Sequence, residues 1–385
     1  MEVHIEKLLF SLLRRAFSQS GERWETPVDP ELLEPLLELA QKHDIAHLVA
    51  MGLQKTEADP NLKVKAQPSI FGAVYRYEQI NYALEKTCRA LEQAGIPFIP
   101  LKGSVLRAYY PEPWMRTSCD IDILVQAQDL NRAVACLESK LRYTEQRKTS
   151  HDVSLFSPEG IHIELHYSLV EEGLANDAAK ILANVWDTAL QKQGYTYRHE
   201  MPDDIFYFYH VAHMAKHFEN GGCGIRPFID LWLLDKLPQA NMSKRELLLE
   251  KGKLLQFAQA ASRLSGVWLE AFPSDACSTR MQSYILYGGV YGNSENRVLL
   301  QQQKKGGKVG YILSKVVLPY DDMLYRYNIL DKHRWLMPFL QVHRWGRMLF
   351  GKGRHRLAGE LALGQGVSQS QAEEMHVLLK EVGLL

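Results

Sequence analysis

The sequence that decides the fold is CDIDILV at residues 119–125, together with IHIELH at residues 161–166. Both alternate between apolar and polar residues, which is the period of a half-buried β-strand. Asp120 and Asp122 therefore project from one face of the first strand, and Glu164 shares the polar face of the second with His162 and His166. If the two strands are neighbours, three carboxylates converge, and they repel one another unless a cation neutralises them.

The segment upstream suits the same chemistry. Residues 96–101, IPFIPL, read as a short buried strand, and Lys102, Gly103 and Ser104 then open a helical stretch. Glycine allows close backbone approach, and a helix N-terminus offers N–H groups to phosphate. Lys102 adds a cation, and Arg116 adds a planar guanidinium four residues before Asp120. Mg²⁺ favours carboxylate oxygens, and two such ions can clamp the oxygens of a phosphoryl transfer.

The order of elements around these motifs predicts an α+β fold. Strand, helix, strand, helix and a hairpin (strands 153–156 and 161–166) indicate a small mixed β-sheet with flanking helices. The rest of the chain reads as helical, with helices expected near 69–94, 243–272, 275–290, 295–317 and 334–350. We therefore expect a helical N-terminal cap at 1–94, the core at 95–200 and a helical C-terminal region at 201–385.

The composition, net charge and cysteine pattern of the chain argue against several classes of protein. The chain has 385 residues, 46% of them hydrophobic and 23% charged, as in an ordinary globular protein. Lys plus Arg and Asp plus Glu both number 45, so bulk charge gives no support for nucleic-acid binding. The five cysteines form no CxxC pair, which favours a reducing cytoplasm over a disulfide framework. We expect neither a secretory signal nor a membrane-spanning helix.

These motifs carry a resemblance. The order KGS, DIDILV and IELH is similar to the DNA polymerase β-like nucleotidyltransferase superfamily. More narrowly, residues 96–168 resemble a large, mostly uncharacterised bacterial nucleotidyltransferase family with LKG, R-x-x-x-DIDILV and IELH patterns. Two features depart from the wider pattern: the gap from Ser104 to Asp120 is longer, and Lys102 directly precedes the glycine. Both suggest a branch with its own phosphate-binding geometry, and they leave the acceptor open.

The resemblance implies a metal-dependent enzyme that moves a nucleoside monophosphate from an NTP such as ATP to a small-molecule or protein/peptide acceptor and releases pyrophosphate. It implies two Mg²⁺ ions, for which Mn²⁺ can substitute. The catalytic metal ligands would be Asp120, Asp122 and Glu164, and the nucleotide-binding residues would be Lys102, Gly103, Ser104, Arg116 and His166. The alternative is a non-catalytic nucleotide-binding regulatory protein on the same fold.

Two weaker signals stay open. His210, His213 and His217 share one helix face, so they either line the nucleotide cleft, form a zinc site completed by Asp230, or are ordinary half-buried histidines. Residues 332–356 hold seven Lys or Arg and no acid, interleaved with aromatics. That segment is a solvated helix, an acceptor-binding surface or a peripheral membrane contact.

Overall fold

The computed structural model describes residues 2–18, 28–171, 173–289, 297–298, 300–302, 306–320, 323, 327–350 and 369–385. The architecture is α+β, as the sequence predicts. Four helices precede the sheet: α1 (Glu2–Phe17), α2 (Pro30–Lys42), α3 (Ala46–Gln54) and α4 (Pro60–Gln93). Helix α4 begins at Pro60 rather than near residue 69, because Asp59 caps it by accepting the Asn61 N–H and Pro68 lies within the helix.

A five-stranded sheet follows, in the order β1-β2-β5-β4-β3. Its central pair, β2 and β5, is parallel and its other pairs are antiparallel, which confirms a mixed sheet. β3 was not predicted because its five exposed residues show no apolar alternation, as at many sheet edges. The strands are β1 (Phe98–Pro100), β2 (Asp120–Val125), β3 (Thr144–Lys148), β4 (Asp152–Phe156) and β5 (His162–His166).

Short elements connect the strands and the region after them. A small two-stranded sheet, β6 with β7, lies beyond β5. The connecting elements are α5 (Gly103–Leu106), α6 (Leu130–Leu141), α7 (Asn176–Leu182), α8 (Val185–Thr188), β6 (Leu190–Gln191) and β7 (His199–Glu200), with 3₁₀ turns at Arg107–Tyr109, Pro113–Met115 and Ala127–Asp129.

The apolar face of the sheet packs against two helices. Ile121, Ile123 and Ile163 are fully buried there, together with Leu91 of α4 and Leu137 of α6. Burying such side chains contributes roughly 1.5–3 kcal/mol each. This layer fixes which face of β2 and β5 points away from it, and that opposite face carries the carboxylates.

The described part of the C-terminal region is mostly helical, as expected. The predicted stretch 243–272 is two helices, because the chain turns at Gly252 and Lys253, where Lys253 has φ of 55°. Of the stretch 295–317, residues 295–296, 299 and 303–305 lie outside the described residues. The helices are α9 (Asp203–Glu219), α10 (Arg226–Asp235), α11 (Met242–Lys251), α12 (Leu255–Leu269), α13 (Ala276–Gly288), α14 (Lys308–Val316), α15 (Met337–Phe350) and α16 (Gln369–Glu381).

The N-terminal and C-terminal helices share a second hydrophobic core, which also takes in Ile99 and Leu124 of the sheet. Phe10 of α1 stacks on Trp268 of α12 with ring centroids 4.8 Å apart, and Arg14 donates to the Trp268 carbonyl at 2.9 Å. The boundaries at residues 94 and 200 stay predictions. None of the helices in the described ranges combines the length and the apolar run needed to cross a membrane.

Candidate active site

The site is built on the parallel pairing of β2 with β5. The register sets Asp120 opposite His162 and Asp122 opposite Glu164. Two overlapping groups result, in which the ligand atoms lie within 4.8 Å of one another: Asp120, His162 and Glu164, and Asp122, Glu164 and His166. The convergence of three carboxylates expected from the sequence is therefore present. His162 was noted on that face but not assigned a role, since only the register shows what it faces.

Lys102 lies among these carboxylates. Its Nζ is 2.8 Å from Asp122 Oδ1 and 3.9 Å from Glu164 Oε2. Burial opposes the charged ammonium, but Asp122 outweighs burial and raises the pKa of Lys102 well above its ordinary value. The sequence assigned Lys102 to the triphosphate, whereas the structure places it on the carboxylates. A phosphate role would therefore require Lys102 to leave Asp122.

His166 is the second partner of Asp122. Its Nε2 is 2.9 Å from Asp122 Oδ1 and 3.6 Å from Glu164 Oε2, and the residue is 1% exposed. Burial lowers the pKa of His166, but the hydrogen bonds to Asp122 and Glu164 outweigh burial and raise it to about 9. The contact between His166 Nε2 and Asp122 Oδ1 fixes the orientation of the Asp122 carboxylate. Nucleotide contact by His166 stays a prediction.

The two aspartates differ in charge compensation. Burial raises the pKa of Asp122, but Lys102 and His166 outweigh it and hold that pKa far below its usual range. Asp120 makes no hydrogen bond or ion pair with any described residue, and burial together with Asp122 and Glu164 raises its pKa to about 6. His162 Nε2 beside it is buried and also has no partner within the described chain. Negative charge therefore remains unmet at the Asp120 end.

The Gly103–Ser104 turn lies directly upstream. A Cβ on Gly103 would come within 3.2 Å of the Ser118 Cβ, so the glycine allows the turn to pack closely on the loop before β2. The Ser104 Oγ is buried and has no hydrogen-bond partner among the described residues. An unmet buried hydroxyl suits a polar ligand at this turn. The phosphate role of Gly103 and Ser104 stays a prediction.

Arg107 was missed by the sequence reasoning. Its Nε donates to the Gly103 carbonyl at 2.9 Å and its Nη2 donates to Ser118 Oγ at 3.1 Å. Its Nη1 is buried without a partner in the described chain, and burial followed by the charge of Arg116 lowers its pKa to about 10. The sequence feature that could have identified Arg107 is its position one turn after Gly103, on the same face of the helical stretch.

Arg116 occupies a different place from the one expected. Its Nε lies 2.7 Å and 3.0 Å from the two carboxylate oxygens of Asp230, and Nη1 donates to the Thr117 carbonyl at 2.6 Å. The residue is 7% exposed, and Asp230 also accepts from the Tyr110 hydroxyl at 2.7 Å. Holding a triphosphate would require this buried pair to open.

Helix α9 brings part of its histidine face toward the cluster. Burial, and after it the nearby lysine charges that include Lys102, lower the pKa of both His213 and His217, whose Nε2 atoms are 3.1 Å apart. His210 points elsewhere and bonds the Pro227 carbonyl at 3.0 Å. The zinc site, one of the three interpretations of this face, is not among the metal-type groups of the described residues, and Asp230 is engaged with Arg116 and Tyr110.

The fold and the donor set define a class: an α+β protein with an acidic, metal-type site beside a Gly-Ser turn. A family model described as an uncharacterised nucleotidyltransferase matches residues 29–270, more than half of the chain, so the protein belongs to that family. The expected enzyme class, transfer of a phosphorus-containing group, is confirmed at that level. No curated protein and no solved structure matches the chain.

Proposed function

We propose that the protein transfers a nucleoside monophosphate from an NTP to a hydroxyl of a small-molecule or protein/peptide acceptor and releases pyrophosphate. One observation carries the proposal: the parallel register of β2 and β5 sets Asp122 opposite Glu164, with Asp120 on the same face. A structural sheet face would gain nothing from three clustered carboxylates, whereas a divalent cation bound with a nucleotide offsets their repulsion.

The donor set suits such a cation. Asp120, Asp122 and Glu164 provide carboxylate oxygens, which Mg²⁺ prefers, and His162 provides a nitrogen that Mn²⁺ also accepts. When bound, the metal supplies positive charge to the phosphate oxygens and to the attacking oxygen. The residues of this chain hold it and orient it: His166 fixes Asp122, and the β2–β5 register fixes the separation of the acids.

The remaining groups suit the triphosphate and the acceptor. Ser104 Oγ and Arg107 Nη1 are unmet donors beside the Gly103 turn, where phosphate oxygens would accept from them. In the reaction, the acceptor oxygen forms a bond to the α-phosphorus while the bond from that phosphorus to the bridging oxygen breaks. Pyrophosphate leaves with the electron pair, and the acceptor proton passes to the Glu164 carboxylate.

A labelling experiment tests the reaction type. The protein is incubated with Mg²⁺, small-molecule and protein fractions of a cell extract, and NTPs labelled at either the α- or the γ-phosphate. We expect label from the α-position in an acceptor and none from the γ-position, because nucleotidyl transfer leaves the β- and γ-phosphates in pyrophosphate.

The control is the pair Asp120→Asn, Asp122→Asn, which keeps the side-chain shapes, with Glu138→Gln on the exposed face of α6 as a matched variant. Transfer from the γ-position, or full α-transfer by the Asn pair, overturns the proposal. Mg²⁺-dependent binding of a nucleotide without transfer in any fraction favours the regulatory alternative instead.

A further inference from the structure

We infer that the site takes a single divalent cation, held by Asp120, His162 and Glu164, and that the Lys102 ammonium serves as its built-in second positive charge. The inference rests on the proposed nucleotidyl transfer and replaces the two ions that the family resemblance implies. It concerns a residue of this chain that lies where the second ion of a two-metal site would have to bind.

The Asp122 end of the cluster is already occupied by two protein nitrogens. Lys102 Nζ and His166 Nε2 both lie on Asp122 Oδ1, at 2.8 Å and 2.9 Å. Lys102 Nζ also lies 3.9 Å from Glu164 Oε2, so it sits between two carboxylates, as a bridging ion would. A metal ion bound through Asp122 Oδ1 and Glu164 would have to displace this ammonium. Asp122 is 4% exposed, so little room remains for an additional cation.

The Asp120 end is open to a cation. Asp120 has no hydrogen bond or ion pair within the described residues, and His162 Nε2 is a buried nitrogen without a partner there. The ligand atoms of Asp120, His162 and Glu164 lie within 4.8 Å of one another. A buried, unpartnered imidazole nitrogen beside two carboxylates is a ligand set for one divalent ion. The unpaired Asp120 carboxylate and the unpartnered His162 nitrogen thus lie at the same end of the cluster.

The backbone at Lys102 is strained, and it is hydrogen-bonded on both sides. Lys102 has φ of 43° and ψ of −121°, a conformation that favours glycine and that a lysine adopts at a cost. The chain is fixed on both sides: Leu101 N–H donates to the Asp122 carbonyl at 2.9 Å, and Leu106 N–H donates to the Lys102 carbonyl at 2.9 Å. A strained residue pinned in this way directs its side chain onto Asp122, as a resident cation requires.

The test counts metal ions. The full chain is titrated with Mn²⁺ alone, and free Mn²⁺ is measured by electron paramagnetic resonance. We expect one ion per wild-type chain, two per chain for Lys102→Met, and a large loss of binding for Asp120→Asn. Lys102→Gly is a second variant, which also removes the ammonium but relieves the positive φ, so an effect shared by both variants comes from charge rather than misfolding.

A nearby lysine provides the matched control. Lys216 pairs with Glu171 close to the cluster, and Lys216→Met should still bind one ion. Two ions on the wild-type chain, or one ion on both Lys102 variants, overturn the inference and leave the nucleotidyl transfer standing. No ion on any chain overturns both. One ion without α-phosphate transfer overturns the proposed reaction alone.

Discussion

The protein buries two groups of charges, and they are organised in opposite ways. Around the loop before β2, two arginines each meet a carboxylate: Arg116 pairs with Asp230, and Arg226 pairs with Asp44, which also accepts from Thr117. We call these four charged residues the paired network. On the polar face of β2 and β5, carboxylates face one another, and Asp120 has no described cation in contact.

The difference separates stability from function. Buried pairs with satisfied hydrogen bonds hold their surroundings in one arrangement, and breaking one leaves an unmet charge. The paired network joins the turn between α2 and α3, helix α4 and helix α10 to the loop before β2, because Asp44 also binds Arg76 of α4. The carboxylate cluster has the reverse property at its Asp120 end, where like charges stay unpaired until a ligand arrives. The paired network holds the surroundings of the site in place, and the carboxylate cluster forms the site itself.

The largest effect should come from breaking the paired network. Asp230 is fully buried and accepts from Arg116 and Tyr110, so Asp230→Ala leaves a buried guanidinium without its carboxylate. We expect the free energy of unfolding to fall by about 3–5 kcal/mol in urea denaturation. The exposed pair Lys192–Glu200 is the control, and Glu200→Ala should cost less than about 1 kcal/mol. Equal losses for the two variants would remove the distinction.

Low pH should also lower the free energy of unfolding, through a buried histidine in the same region. His47 is 4% exposed and its Nε2 lies 2.8 Å from the Met115 carbonyl; burial lowers its pKa from 6.5 to about 4. The unfolded chain therefore binds more protons between pH 4 and 6.5, so stability is complete above 6.5 and is lost as pH falls toward 4. The loss should approach about 3 kcal/mol for this residue.

Urea denaturation across that pH range measures the effect. His47→Gln keeps an N–H donor for the Met115 carbonyl and does not titrate, so its stability should vary less between pH 6.5 and 4. His376 is exposed, and His376→Gln should retain the wild-type slope. An unchanged slope in His47→Gln would show that His47 does not couple folding to pH.

In the carboxylate cluster, removing one charge should raise the free energy of unfolding instead of lowering it. Asp120 is ionised at pH 8 against burial and against the charges of Asp122 and Glu164. Asp120→Asn removes that repulsion, so without metal we expect a gain of about 1–2 kcal/mol in unfolding free energy. Mn²⁺ should reverse the order, since only the wild-type chain keeps the full ligand set. A metal-free loss of stability would place Asp120 with the paired network.

The smallest effect on folding should come from the exposed aromatic residues of the basic segment 332–356, which has no acidic residue. Of residues 332–356, the structure describes 332–350, where Trp335 and Phe339 are 67% and 66% exposed. Replacing both with Ser should change stability by less than about 0.5 kcal/mol. Peripheral membrane contact predicts weaker binding to phosphatidylglycerol vesicles, while Phe71→Ser with Tyr75→Ser, equally exposed on α4, should leave binding unchanged. No vesicle binding by the wild-type chain refutes the contact.

The sequence predicted the parts of this account that depend on local pattern. Alternation in CDIDILV and IHIELH gives β2, β5 and their polar faces, because side-chain direction in a strand follows from its period of two. The pattern of β3 contains no such signal, since an edge strand of exposed residues buries no face.

Partnerships across the fold were not predictable in the same way. Arg116 meets Asp230 from 114 residues away, and Lys102 meets Asp122 only because β1 and β2 pair. The sequence positions of Arg107 and His162 do not indicate that their buried side-chain nitrogens lack hydrogen-bond partners among the described residues. The candidates could be named from the sequence, but which charges are met and which are free is decided by packing.

The most direct test of the central claim is a thermal-shift series with ATP, GTP, CTP and UTP, each with and without Mg²⁺. A ligand that binds only the folded chain raises the unfolding midpoint by mass action. We predict a Mg²⁺-dependent rise with at least one nucleotide for the wild-type chain and none for the Asp120→Asn, Asp122→Asn pair. An equal rise in both proteins, or no rise with any nucleotide, would contradict the assignment of the carboxylate cluster to metal-dependent nucleotide chemistry.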